Sequence, residues 1–207
     1  MHLYIVRHGE SKQILDDRIQ DDFDELTEKG KQQVEVLARK LRKIKIDYIL
    51  SSSQKRSFQT AQIINSVLNL PLEFTDLLKE KKLPGEIQGK KKNNKQVRKV
   101  INLLTENFPK EKWRYQDEET FADLKKRAAR LFRYVVGLKK EGILLVTHAH
   151  FLKMIIAFMI YKNDLTARDY LEVDRFFKTA NAGITICHLD KRKKWRLETW
   201  SDHCYLS

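Results

Sequence analysis

A cationic residue and a histidine directly follow the first apolar run of the chain. Residues 3–6 are apolar and rich in β-branched and aromatic types, which predicts a short buried strand. Arg7, His8 and a flexible Gly9 follow it at once. Arg7 offers a planar fork of N–H donors that suits phosphate oxygens, and His8 can act as a nucleophile or a proton carrier near neutral pH. This stretch therefore predicts a site for phosphate chemistry.

Two later apolar runs carry groups of the same kind at their ends. Arg56 lies in the stretch that follows a predicted strand at 47–50, and His148 follows a predicted strand at 143–146. Ligands of open α/β sheets bind beyond the carboxyl ends of the strands. We therefore expect Arg56 and His148 to share one pocket with Arg7 and His8, where the cations would bind phosphate and help to keep the His8 imidazole neutral.

The order, spacing and placement of these segments resemble the histidine phosphatase superfamily, the phosphoglycerate-mutase-like proteins, and the length fits its small phosphomonoesterases. The resemblance implies that His8 carries the phosphoryl group and that Arg7, Arg56 and His148 bind phosphate. It implies that Glu80, in the phrase Leu78-Lys79-Glu80, protonates the leaving alcohol. It also implies an enzyme that needs neither a metal nor another cofactor.

Two positions depart from the pattern of that superfamily. The family usually continues toward an aromatic-glycine-x-x-acid-glycine run, whereas this chain has an unrelated segment at 81–89 that includes Glu86. Glu86 is therefore a rival to Glu80 as the proton donor. Ile14 stands where many members carry an asparagine that contacts phosphate, so the fine positioning of the substrate is open.

Regular elements must hold these groups in place, and apolar periodicity predicts several of them. Thr27 is an expected N-cap for an amphipathic helix whose apolar stripe consists of Val34, Leu37, Ala38, Leu41 and Ile44. Thr120, with an acid three residues later, resembles the capping pair of a long second helix. The run 72–74 predicts an edge strand, and 182–188 with 195–200 predict a hairpin. We expect an α/β fold, a three-layer αβα sandwich with a mostly parallel sheet, helices on both faces and a small basic cap insertion.

The expected insertion is the most basic part of the chain. Residues 79–114 hold twelve Lys or Arg against four Glu, a net charge of +8, and include the lysines 90–92. Helical periodicity within the segment argues against a disordered tail. We expect one domain, 1–207, in which 78–116 forms a cap or specificity insertion over the pocket.

The composition limits the classes of partner and compartment. The chain has 207 residues, 42% of them hydrophobic, and a formal charge of +13 that attracts anions of any size. The two cysteines match neither a disulfide framework nor a zinc site, and the first residues do not resemble a signal peptide. Both features favour a reducing, cytoplasmic compartment. The longest apolar run, 154–160, is far shorter than the roughly 20 residues that span a bilayer, so no membrane contact is expected.

The favoured interpretation is a metal-independent phosphatase that hydrolyses a small phosphomonoester through a phosphohistidine on His8. One alternative is a phosphoglycerate mutase, which returns the phosphoryl group to a bound sugar acid instead of to water. An alternative from another class is a basic RNA-binding module. It is disfavoured because no aromatic-interleaved RNA motif accompanies the lysines of the insert. The sequence does not fix the oligomeric state.

Overall fold

The computed structural model describes residues 1–206. Its strands form one six-stranded sheet in the order β3-β2-β4-β1-β5-β6. They are β1 His2–Arg7, β2 Tyr48–Ser52, β3 Leu72–Thr75, β4 Gly142–Thr147, β5 Ile184–Leu189 and β6 Trp195–Asp202. Strands β1 to β4 run parallel, while β5 and β6 are an antiparallel hairpin added beside β1. The predictions of a mostly parallel sheet, an edge strand and a late hairpin are confirmed.

The pairing of β1 with β4 brings the ends of two strands together. His2 pairs with Gly142 at one end, and Arg7 pairs with Thr147 at the other. The backbone contact continues one residue further, since the His8 amide donates to the Thr147 carbonyl at 3.0 Å. This register places the residues after β1 next to the residues after β4.

Helices cover both faces of the sheet. They are α1 Lys12–Leu15, α2 Glu28–Leu41, α3 Lys55–Leu68, α4 Lys95–Asn107, α5 Phe121–Gly137, α6 Ala149–Tyr161 and α7 Ala167–Phe176. The expected caps are present: Thr27 accepts from the Gly30 amide, and Thr120 with Asp123 forms a reciprocal capping box on α5. Both helices therefore begin where the sequence indicates.

Side-chain alternation along β1 divides the core into two layers. Leu3 and Ile5 belong to the layer formed with α5, α6 and α7, whereas Tyr4 and Val6 belong to the layer formed with α2 and α3. Successive residues of a strand point to opposite faces, so one central strand serves both layers. The αβα sandwich expected from the sequence is confirmed. Among residues 1–206, no helix has the length and apolar character required to cross a bilayer.

A third apolar cluster lies between the loop after α1 and the basic segment that precedes α5. Its buried members are Ile19, Ile87, Val97, Val100 and Leu104. The backbone of the two segments is also paired, with the Ile19 amide donating to Lys90 and the Lys92 amide donating to Asp17. The helical periodicity of the basic segment corresponds to α4, and this segment packs against the loop that leads out of the β1 end.

Candidate active site

Gly9 allows the chain to turn sharply after β1. A Cβ atom built at Gly9 would lie 2.5 Å from the Gly30 carbonyl oxygen and 2.9 Å from Val34 Cγ2. Only glycine fits this approach to the first turns of α2 without displacement of backbone. The Gly9 carbonyl is thereby held 2.7 Å from His8 Nδ1, a contact expected for a histidine that attacks through its other nitrogen.

The partners of His8 determine its tautomer. Arg56 Nε lies 3.3 Å from His8 Nε2 and can only donate, so Nε2 carries the lone pair and Nδ1 donates its proton to Gly9. Burial lowers the pKa of His8 well below its ordinary value, and the charges of Arg56 and Arg7 lower it further. His8 is therefore a neutral imidazole at neutral pH, with its lone pair facing Arg56.

Arg56 is fixed from three sides in the first turn of α3. It is 1% exposed, its Nη1 donates to the Asp21 carbonyl at 2.7 Å, and its Nη2 lies 3.4 Å from Gln54 Oε1. Gln54 Nε2 donates to Asp22 at 2.7 Å. The residue types alone indicate no role for Gln54 or for Asp21 and Asp22. A role for Gln54 could have been predicted from its position directly before α3, within the same motif as Arg56.

Arg7 retains free hydrogen-bonding capacity. Its Nη1 donates to the Thr179 carbonyl at 2.8 Å, while its Nε is buried without a hydrogen-bond partner. A buried donor without a partner is costly unless a ligand satisfies it. The Arg7 fork therefore suits an anion at the end of β1.

His148 occupies the N-cap position of α6, as expected from its place between a strand and a helix. Its Nε2 lies 2.9 Å from Ser52 Oγ and 3.2 Å from Ser57 Oγ, and its ring centroid is 5.2 Å from that of His8. Its Nδ1 is buried and has no partner. Burial, followed by the charge of Arg56, lowers the pKa of His148 well below its ordinary value. His148 is thus a second neutral imidazole with one unused nitrogen.

The carboxylate of Glu80 lies at the N-terminus of α6. It accepts from the amides of His150 at 3.1 Å, Phe151 at 3.0 Å and Lys81 at 2.9 Å. Burial favours the neutral acid and would raise the pKa of Glu80, but the imidazole of His150 and then His148 reverse this and lower it well below its usual range. In the free protein Glu80 is therefore ionised, and it must gain a proton before it can donate one.

The segment that carries Glu80 is anchored from α5 and β4. Arg127 donates to the carbonyl oxygens of Leu77 at 3.1 Å and Lys79 at 2.6 Å, and it also pairs with Glu119 at 2.6 Å. Thr147 Oγ1 donates to the Leu78 carbonyl at 2.7 Å. These contacts fix the backbone on which the Glu80 side chain is mounted.

Glu86, the alternative to Glu80 as proton donor, lies outside the cavity. Glu86 accepts from the Tyr115 hydroxyl at 2.8 Å and the Gln116 amide at 3.2 Å, and it does not line the cavity beside Arg7. Glu80 does line that cavity. His150, for which the sequence indicates no role, lines it as well, and its Nδ1 is 3.4 Å from Glu80 Oε2.

A cavity of about 1120 Å³ opens at this end of the sheet. Arg7 and Arg56 line it together with Glu80, residues 79–83 and apolar side chains of α4 such as Leu104. His8 and His148 are 1% and 0% exposed and lie behind this lining. Ile14, one of the two departures from the family pattern, also lines the cavity. The space exceeds that of a phosphate group alone and leaves room for the alcohol part of an ester.

The side chains of suitable type and spacing to hold a metal ion lie far from this cavity. Among residues 1–206, His2, His188 and Glu198 form a group of three with ligand atoms within 4.8 Å of one another. His2 begins β1, whereas Arg7 ends it, so the group lies at the opposite end of the strand. His188 Nδ1 and Glu198 Oε1 are 2.8 Å apart.

Comparison with known proteins identifies the family of this chain. Residues 3–203 match the model of the histidine phosphatase superfamily (branch 1). The chain is 30% identical over 200 residues to the Hydrogenobacter thermophilus protein named "Putative phosphoserine phosphatase 2", covering 92% of this chain and 91% of that one. It is 27% identical to "Phosphoglycerate mutase-like protein 4" of Arabidopsis thaliana, covering 99% and 86%. The solved structure of Bacillus stearothermophilus YhfR superposes with a TM-score of 0.84 at 24% identity, covering 100% and 99%. The resemblance stated from the motifs is thus confirmed, and the chain is an enzyme of the histidine phosphatase superfamily.

Proposed function

We propose that this protein is a metal-independent phosphatase that hydrolyses a small phosphomonoester through a phosphohistidine on His8. The observation that carries the proposal is the His8 imidazole itself. It is neutral, its Nδ1 proton is held by Gly9, and its Nε2 lone pair faces Arg56. These are the properties of a nitrogen nucleophile beside a group that binds phosphate.

In the first step, His8 Nε2 attacks phosphorus in line with the ester oxygen. The N–P bond forms as the P–O bond breaks, and the electron pair of that bond passes to the alcohol oxygen. Arg7, Arg56 and His148 stabilise the equatorial oxygens, and the donors without partners on Arg7 and His148 supply hydrogen bonds for them. The electrostatic stabilisation requires no metal ion.

Glu80 protonates the departing alcohol in the same step. Its carboxylate then accepts a proton from the water that attacks the phosphohistidine, which releases phosphate and restores the His8 lone pair. Of the two carboxyl groups considered from the sequence, Glu80 is the one that lines the cavity. This supports its role over that of Glu86.

Residues 78–116 serve in this proposal as the cap that selects the alcohol part of the substrate. The contribution of 79–83 and α4 to the cavity lining supports this role. The lining combines lysines with apolar side chains such as Phe108, which suits a small phosphorylated metabolite with some apolar surface.

The test is direct detection of the intermediate. Rapid quench at neutral pH followed by intact-mass measurement should show one acid-labile phosphoryl adduct on the wild-type chain and none on His8→Ala. A matched control is His2→Ala, which removes an exposed histidine at the opposite end of β1 and should leave the adduct unchanged. Full turnover by His8→Ala would refute the mechanism.

A phosphoglycerate mutase is the second candidate, because relatives of both names match the chain. The two activities differ in the acceptor of the phosphoryl group. A panel of phosphomonoesters that includes phosphoserine and 3-phosphoglycerate, with and without 2,3-bisphosphoglycerate, separates them. Release of inorganic phosphate without the bisphosphate supports the phosphatase, whereas isomerisation that depends on the bisphosphate supports the mutase.

A further inference from the structure

His150 is a titratable group that lines the cavity and that the proposed mechanism leaves unused. It stands in the first turn of α6, two residues after His148, and its side chain is 55% exposed. Its Nδ1 lies 3.4 Å from Glu80 Oε2, while its backbone amide donates to the same oxygen at 3.1 Å. One residue thus approaches one carboxylate oxygen with both its main chain and its ring.

Glu80 by itself is poorly suited to donate a proton. Three backbone amides and the N-terminus of α6 stabilise its charged form, and its side chain is 16% exposed. A general acid must hold a proton when the ester bond breaks. The site therefore requires a source of that proton close to Glu80.

We propose that His150 is the positioning residue that stores the proton which Glu80 delivers to the leaving oxygen. This inference rests on the proposed phosphatase function. In the free protein the raised pKa of His150 and the lowered pKa of Glu80 favour an imidazolium next to a carboxylate. When the anionic phosphoryl group enters the cavity, its negative charge disfavours a second negative charge on Glu80. The proton then moves from His150 Nδ1 to Glu80 Oε2, and the pair keeps the same net charge.

The proton balance closes over one turnover. Glu80 gives its proton to the alcohol as the phosphoryl group moves to His8, which leaves a carboxylate next to a neutral His150. Glu80 then takes a proton from the attacking water and returns it to His150. The N–P bond breaks with its electron pair returning to His8, and the remaining hydroxyl stays on the released phosphate. No co-reactant other than water is needed.

The charges around the pair favour an imidazolium in the free protein. Desolvation lowers the pKa of His150, but the charge of Glu80 and the contact of its carboxylate with the ring outweigh it, so the pKa is raised overall. Asp174 on α7 acts in the same direction, while Lys153 on α6 opposes it. Tyr170 on α7 contacts the His150 carbonyl at 3.4 Å. The cations Arg7, Arg56 and Lys81 also face Glu80 and favour its charged form, whereas the nearby imidazoles of His8 and His148 are neutral.

The sign of the pH dependence follows from the raised pKa. The stored proton is present below the pKa of His150 and is lost as the pH rises through it, so His150 sets the alkaline limb of kcat for esters with poor leaving groups. In His150→Asn the proton must reach Glu80 from solvent. The alkaline limb should then move to lower pH.

The experiment compares two substrates in wild type, His150→Asn and the control His2→Asn. With an alkyl phosphomonoester at neutral pH, His150→Asn should lose about 10- to 100-fold in kcat, part of the 10²- to 10⁴-fold range of a full general acid. With p-nitrophenyl phosphate, whose leaving group needs little protonation, it should lose less than about threefold. The double variant Glu80→Gln/His150→Asn should be no slower than Glu80→Gln, because residues that act through one another are not additive.

A titration that needs no activity separates this inference from the proposed function. The His150 ring resonances, followed by NMR, should titrate above about 6.5 in wild type and at lower pH in Glu80→Gln. Equal losses for both substrates in His150→Asn, an unmoved alkaline limb, or a His150 titration that ignores Glu80→Gln would overturn the inference. A wild-type protein that releases no phosphate from any ester and forms no adduct on His8 would instead overturn the proposed function and, with it, this inference.

Discussion

Replacement of Arg56 by lysine tests the proposed phosphate site while keeping the charge. The guanidinium spans three acceptors at once: the His8 ring, the Asp21 carbonyl and Gln54. A lysine ammonium is a compact charge without this planar fork, so it cannot hold all three in the same geometry. Arg56→Lys should therefore weaken both the folded protein and the binding of the transition state.

Both effects have a magnitude set by the contacts. At least one buried acceptor loses its donor, which costs about 1–3 kcal/mol in the free energy of unfolding. For a domain of this size that corresponds to a drop in Tm of about 2–4 °C per kcal/mol. Loss of one well-placed donor to the transition-state oxygens should lower kcat by about 10²- to 10³-fold.

The assay is steady-state release of phosphate from p-nitrophenyl phosphate, together with thermal unfolding followed by circular dichroism. The matched control is Arg175→Lys, because Arg175 pairs with Glu172 at an exposed site and its side chain is 72% exposed. The control should stay within about 0.5 kcal/mol of wild type and keep full activity. Wild-type kcat and KM in a folded Arg56→Lys protein would refute the assignment of Arg56 to phosphate binding.

Three further outcomes are expected. Glu80→Gln should lower kcat for alkyl esters by about 10²- to 10⁴-fold and should lower kcat for p-nitrophenyl phosphate by a smaller factor. Equal losses for the two substrates in phosphate-release assays would show that Glu80 is not the general acid. Activity should persist in EDTA, and a loss restored by added divalent ion would contradict the metal-independent mechanism. Neutralising Lys90, Lys91 and Lys92 should lower mainly kcat/KM, by less at high salt, because exposed charges are screened beyond about 10 Å at 0.1 M. Unchanged phosphatase kinetics with lost RNA binding in a gel-shift assay would assign the basic insert to nucleic acid.

The candidate site residues could be predicted from the sequence because each follows a recognisable strand. Arg7 and His8 come directly after a run of buried residues, and His148 comes after another. Apolar periodicity and capping residues are local signals, and the start of α2 at Thr27 shows how well they work. The sheet with helices on both faces followed from the order of such elements.

The tertiary structure decided which carboxyl group faces the cavity beside Arg7. Glu80 and Glu86 lie six residues apart in a segment without helical or strand periodicity, so no local pattern indicates their directions. Arg127, distant in sequence, fixes the path of this segment by binding its carbonyl groups. That contact depends on the packing of α5 against the sheet, which appears only in the folded chain.

The contact between Glu80 and His150 could likewise not be predicted from the sequence. The two residues are separated by 70 positions, and only the docking of the Glu80 segment on the N-terminus of α6 brings them together. The same holds for Arg56, whose sequence motif indicates a cation but not the Asp21 carbonyl that orients it. Local residue types determined which groups can do chemistry here, whereas long-range packing determined their partners, and those partners set the protonation states on which the chemistry depends.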